Sequence, residues 1–163
     1  MKPFGGVNLD NSKEIWTKAN RAVVITFAIA GASFGSWASR IPSLKNQLGL
    51  EAVELGGVLL VLAMASVVSF PLSGRAIDRY GAASVTRYLT WATLISLILI
   101  SLASSVLVLT FCVAIFGASL GALDVLMNGW GAEVERQGSK SIISSLHAYW
   151  SLFAGIGGLI GFL

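Results

Sequence analysis

The sequence predicts an all-α membrane protein with about five transmembrane helices. Three observations predict it. Of the 163 residues, 55% are apolar and only 12% are charged, with a mean hydropathy of +0.79. Soluble domains carry about 25% charged residues, and a soluble chain this short would leave too much apolar surface in water. The charges gather in short connectors, and the stretches between them are long enough to cross a bilayer.

A crossing helix needs about 20 mostly apolar residues to span about 30 Å of hydrocarbon. Stretches free of Lys, Arg, Asp and Glu run over Ala22 to Ser39, Leu55 to Gly74, Tyr88 to Leu123 and Ser141 to Leu163. The third is 36 residues long, about right for two crossings, and the polar, small-residue run Ser101-Leu-Ala-Ser-Ser105 marks the break. The expected helices are therefore 21–40, 55–74, 86–103, 106–129 and 142–163. Within hydrocarbon every backbone N–H and C=O must pair inside its own segment, which selects helix. A barrel strand would alternate polar and apolar residues over about ten positions, and these runs do not alternate.

Residues 1–20 read as a polar tail and 21–163 as the membrane domain. The long polar lead and the full-length apolar run after it differ from a cleavable signal peptide. With five crossings, one side receives Lys2, Lys13, Lys18, Arg21, Arg75, Arg79, Arg87, Arg136 and Lys140, and the other only Arg40 and Lys45. The positive-inside rule then places the N-terminus in the cytoplasm. That distribution explains the net charge of +3 without nucleic acid as a partner. The one cysteine, Cys112, lies in an apolar run and forms no intramolecular disulfide.

Four places carry candidate function. Asp124 lies inside a crossing helix, where a carboxylate is costly and is a functional candidate by default. Gly117, Gly121, Asp124 and Asn128 fall at i, i+4, i+7 and i+11, so they share one face. That stripe is expected to face the bundle interior or a water-filled cavity, making Asp124 a candidate proton carrier. The competing reading is a hydrated or loop-paired Asp124 near its helix end. The second place is Gly74-Arg-Ala-Ile-Asp78-Arg79-Tyr80-Gly81, with Arg87 beyond. Gly81 suits a turn needing positive φ, and Asp78 suits a helix N-terminus or a guanidinium partner. A plain charged loop would explain it as well. Third, His147 opens the last helix as a proton relay, a substrate contact or an interfacial hydrogen-bonding group. Tyr149 and Trp150 beside it suit an aromatic belt, and Gly155, Gly157, Gly158 and Gly161 beyond suit close helix packing. Fourth, Arg40 follows Trp37 at the far end of the first crossing and reads first as a snorkelling side chain, second as a substrate contact. No metal-ligand cluster, nucleophile–base pair or phosphate-binding loop occurs, so neither a cofactor nor an enzyme activity is expected.

The first and fourth crossings share six of nine positions, Phe27-Ala-Ile-Ala-Gly31-Ala-Ser-Phe-Gly35 against Val113-Ala-Ile-Phe-Gly117-Ala-Ser-Leu-Gly121. They cross in opposite directions, as inverted three-helix repeats do in one large transporter class.

The Gly74–Gly81 segment with Arg87 resembles the signature loop between helices 2 and 3 of the major facilitator superfamily, departing from it in the basic residue after the first glycine. Trp37-Ala-Ser-Arg40-Ile-Pro42, Met127-Asn128 and Ser145-Leu-His147-Ala-Tyr-Trp150-Ser151 are similar to a bacterial subgroup near the fucose-permease-like inner-membrane members. The resemblance covers residues 20 to 163. It implies a twelve-helix, alternating-access transporter of a small solute such as a sugar, in the bacterial inner membrane. It also implies that Asp78 and Arg79 hold a cytoplasmic gate and that Asp124 couples protons. The chain stops near the end of its fifth helix, so the expectation is an N-terminal part that needs its C-terminal half or a second chain. The reading from another class is a small membrane protein with a structural or assembly role, or a truncated gene product.

Overall fold

The computed structural model describes residues 9–138 and 141–162, with side chains from Glu14 onward. Residues 1–8, and with them Lys2, lie outside the described residues, as do Lys140 and Leu163. Five helices follow one another: α1 (Leu9–Leu48), α2 (Ala52–Tyr80), α3 (Ala82–Ser101), α4 (Val106–Gln137) and α5 (Ile143–Phe162). All five are long and apolar enough to cross a membrane, and no strand occurs among the described residues.

α1, α2 and α4 overrun the stretches expected from hydropathy. At 1.5 Å per residue a bilayer takes up about 20 residues, yet α1 has 40 and α4 has 32. α1 starts at Leu9 within the polar lead, where Glu14 and Lys18 pair at i,i+4. It also continues through Pro42. A proline removes one backbone donor, and near a helix end the freed carbonyl is easily met by water. α2 likewise carries its charged segment in its own last turns, so the connector expected between the second and third helices shrinks to Gly81, with φ of 79°. The break at 101–105 is where it was expected, with the Ser105 hydroxyl accepting the N–H of Val108 at the start of α4.

Two parallel helix pairs form the frame. In the first, Gly31 and Gly35 of α1 meet the backbone of Trp150 and Ala154, while Gly157 and Gly161 of α5 meet Ala32 and Ser36. In the second, Gly117 and Gly121 of α4 meet Leu62 and Ser66 of α2. One serine hydroxyl crosses each seam: Ser36 Oγ donates to the Gly157 carbonyl at 3.0 Å, and Ser66 Oγ to the Gly117 carbonyl at 2.8 Å. The repeated sequence of the first and fourth crossings thus has a repeated task, since each copy supplies the glycines of one seam. Of the four glycines late in α5, Gly155 faces open space.

α1 and α4 cross in opposite directions and join the pairs. Trp37 packs on Phe116 at 5.9 Å between ring centres, and Trp16 Nε1 donates to the Val134 carbonyl at 2.9 Å. α3 packs on α4 through Thr93, whose hydroxyl lies 3.1 Å from that of Ser119. Two apolar clusters fill the interior. One holds Trp37, Leu109, Val113 and Phe116, the other Val23, Phe27, Leu123, Met127 and Leu146. No buried side-chain polar atom among the described residues lacks a partner.

A Cβ at Gly35 would collide with the Ala154 carbonyl, whereas one at Gly155 would meet nothing within 4 Å. Gly35→Ala is therefore expected to destabilise the detergent-solubilised chain by about 1–3 kcal/mol, the range for overpacking. Gly155→Ala should be neutral or stabilising by up to about 1 kcal/mol. Unfolding in SDS, followed by circular dichroism, measures both, and equal effects would contradict the seam.

Candidate functional site

Three of the residues singled out in the sequence come together where α4, α5 and α1 meet. On α4 the Asn128 amide donates to the Asp124 backbone carbonyl at 2.9 Å and to its carboxylate Oδ1 at 3.3 Å. The i,i+4 spacing sets both contacts, so the amide holds the carboxylate from one turn away. On α5 His147 stands close enough for the charge of its imidazole to act on the Asp124 carboxylate. The ring of His147 meets the edge of Phe27 of α1, at 5.5 Å between centres and 85° between planes. Phe27 is fully buried, so it offers His147 a fixed wall.

The glycine stripe does not lead Asp124 inward. Gly117 and Gly121 are buried against α2, but Asp124 is exposed on the chain's own surface and Asn128 is half-buried. Helices that cross at an angle touch over only a few turns. Gly121 meets Ser66 of α2, whereas Asp124, three residues on, is open. Asp124, Asn128 and His147 therefore lie on a face that this chain leaves uncovered.

Trp37 and Arg40 sit elsewhere. Arg40 is thirteen residues past Phe27 on α1, roughly 20 Å along the axis. Trp37 is 3% exposed and belongs to the core beside Phe116. Arg40 is half-buried at the end of the bundle opposite Gly81.

The charged motif lies at the Gly81 end. Gly74, Asp78, Arg79, Gly81 and Arg87 are all exposed, and Gly81 makes the turn with the positive φ its position demands. Arg79 lies 5.3 Å from the ring centre of its neighbour Tyr80. The pairing expected of Asp78 does not occur among the described residues, where it makes neither a hydrogen bond nor an ion pair. α2 and α3 meet at a one-residue turn, so the cap comes from backbone: the Gly81 carbonyl accepts the N–H of Val85.

A residue outside the candidate set orders the opening of α5. The Glu135 carboxylate accepts the backbone N–H groups of Ile142 at 2.6 Å and Ile143 at 3.0 Å, and the Ser141 hydroxyl at 3.1 Å. It thereby meets the positive end of the helix that carries His147. An acid a few residues ahead of a helix start is the sequence signal that would have found it.

A profile of the Major Facilitator Superfamily matches residues 4–162. The chain belongs to that family. Among curated relatives it is similar to an uncharacterized transporter of Sinorhizobium fredii, 34% identical over 143 residues, which are 88% of this chain and 38% of that protein. It is 28% identical over 137 residues to an uncharacterized MFS-type transporter of Yersinia pestis, covering 84% of this chain and 35% of that one. To the membrane protein MosC of Rhizobium meliloti it is 31% identical over 156 residues, covering 94% and 38%. The chain thus spans less than two-fifths of the length of these relatives. No solved structure matches it. The five apolar helices fall within the matched region, and the exposed Gly74–Gly81 motif lies at the α2–α3 turn.

Removing the cap tests how firmly α5 is held. Glu135→Ala is expected to loosen the first turn of α5, because a capping side chain is lost. It should also speed amide exchange at Ile142 and Ile143. Hydrogen exchange with mass spectrometry reads this directly, and unchanged exchange there would show that water replaces the carboxylate without loss.

Proposed function

We propose that this chain forms the N-terminal part of a secondary transporter that moves a small solute, such as a sugar, together with protons by alternating access. The observation that carries the reading is Asp124. It is a carboxylate in the middle of an apolar helix, held by Asn128, near the imidazole of His147, on a face the chain's own helices leave open. A charged acid at the centre of a bilayer costs about 2.5–3.5 kcal/mol on insertion scales. Such a group is tolerated where it meets water or a partner, or where it takes up a proton when both are withdrawn. A face that is alternately wet and closed would load and release that proton. Asn128 keeps the carboxylate oriented in both states, and His147 supplies a second titratable group beside it.

In this reading the uncovered face meets the second half of the transporter, supplied by the same polypeptide or by a second chain. The Gly81 turn, with Asp78 and Arg79, belongs to the cytoplasmic gate of a bacterial inner-membrane protein whose N-terminus is cytoplasmic. The partners are then the lipid bilayer, protons and the solute.

Coupling is tested in the complete transporter. Asp124→Asn should abolish accumulation driven by a proton gradient while leaving solute exchange at equal concentrations in place. Uptake that kept its full proton dependence would remove Asp124 from the mechanism. The topology is tested with reporters. Alkaline phosphatase fused between α1 and α2 should be active and the same enzyme fused ahead of α1 inactive, and the reverse pattern would overturn the orientation.

A further inference from the structure

At the end of the bundle away from Gly81, α1 and α3 enclose a cavity of about 210 Å3, lined by Arg40, Ser36, Leu44, Leu97, Ile98 and others. Arg40 gives it its character. The side chain is half-buried, and among the described residues it makes no hydrogen bond and no ion pair. A guanidinium has five N–H donors and no acceptor. No buried polar atom among the described residues is unmet, so these donors reach the surface of the cavity, where an anion is the partner a guanidinium selects.

The protein does not supply that anion. The nearest acids on the same end, Glu51 and Glu54, cap α2, with the Glu54 carboxylate accepting the Glu51 N–H at 2.9 Å. The hydroxyls in the cavity carry no charge, and neither accepts from Arg40. Ser36 donates to Gly157 across the α1–α5 seam, and Ser101 donates to the Ile98 carbonyl at 2.7 Å. The rest of the lining is apolar.

Depth and size then identify the occupant. α3 has 20 residues, about the thickness of the hydrocarbon, and the cavity is lined by its last turn at Leu97, Ile98, Ile100 and Ser101. The cavity therefore sits at the boundary between acyl chains and headgroups. Ile98 is 60% exposed and lies on its open side. At about 210 Å3 it falls below the 300–1,000 Å3 or so of a site for a whole small molecule. It suits one charged group with the first methylenes of a chain.

We propose that this cavity binds the phosphodiester of an anionic phospholipid, with Arg40 on the phosphate oxygens and the glycerol end of an acyl chain against Leu97 and Ile98. Guanidinium and phosphate form paired, charge-assisted hydrogen bonds. This makes Arg40 a lipid anchor that holds the α1–α3 junction at a fixed depth, a task separate from that of Asp124.

The test uses the purified chain with dioleoylphosphatidylglycerol, and native mass spectrometry reads retention after delipidation. Dioleoylphosphatidylcholine and inorganic phosphate serve as comparison probes. Phosphatidylglycerol should be retained over phosphatidylcholine, and Arg40→Gln should lower its retention about tenfold, as loss of a charge-assisted hydrogen bond implies. Arg40→Lys should recover part of that loss. Lys45→Gln, an exposed cation on the same end, should change nothing. Ile98→Trp, which narrows the lipid-side opening and leaves the guanidinium in place, should also lower retention; it decides the matter if Arg40→Gln loses helicity by circular dichroism. Equal retention by the chain and both cavity variants would overturn the proposal. So would an equal loss in Lys45→Gln, which would mean diffuse attraction, or displacement of the lipid by millimolar inorganic phosphate, which would mean a site for a soluble anion.

Discussion

The structure depends on backbone touching backbone at two glycine seams. In lipid there is no hydrophobic force to press helices together, because the acyl chains are as apolar as leucine. Association must come from close van der Waals contact and from hydrogen bonds across the interface. Gly31 and Gly35 with Gly157 and Gly161 give the first seam that closeness, and Gly117 with Gly121 gives it to the second. Close approach in turn puts Ser36 and Ser66 within reach of a carbonyl on the neighbouring helix. Everything else is arranged around these two pairs. α1 crosses α4 to join them, and α3 fills the flank of α4.

The number and order of the helices were legible because length and charge distribution are properties of the chain alone. Their ends were not. Hydropathy finds the part of a helix that must be in lipid, and nothing in it stops a helix from continuing into water. So α1 extends back to Leu9 and on through Pro42, and α2 keeps its arginines in helix up to Gly81. Trp16 shows the cost of reading a polar segment as featureless. Its indole reaches the Val134 carbonyl from 118 residues away, a contact that no local pattern announces.

The candidate site was legible as chemistry but not as geometry. Asp124 stands out because a charge in an apolar run needs a reason. The helical spacing also ties Asn128 to it correctly, as the 2.9 and 3.3 Å contacts show. The same spacing put Gly117 to Asn128 on one face, of which this chain closes the glycines and leaves Asp124 open. A single helix's periodicity says which residues share a side, not how far along that side a neighbour keeps contact. Trp37 and Arg40 lie apart from these residues. They are adjacent to the first crossing's repeat in sequence, yet α1 carries Trp37 about 15 Å and Arg40 about 20 Å from His147's partner Phe27.

The packing itself explains why the polar cluster lies where it does. Among the described residues the buried polar side chains are all hydroxyls, and four of them give their hydrogens to carbonyls of their own helix: Thr26 to Ala22, Ser33 to Ile29, Thr93 to Leu89, Ser69 to Ser66. A hydroxyl can be satisfied this way within its own helix. A carboxylate cannot, because it accepts hydrogen bonds and the carbonyls of a helix have none to give. Glycine seams tight enough to hold the bundle without a hydrophobic drive leave no room for a second polar chain or a water to serve it. A charge in this fold is therefore restricted to faces the helices do not close. The α4–α5 junction, where the two pairs barely touch, is such a place, and Asp124, Asn128 and His147 border it.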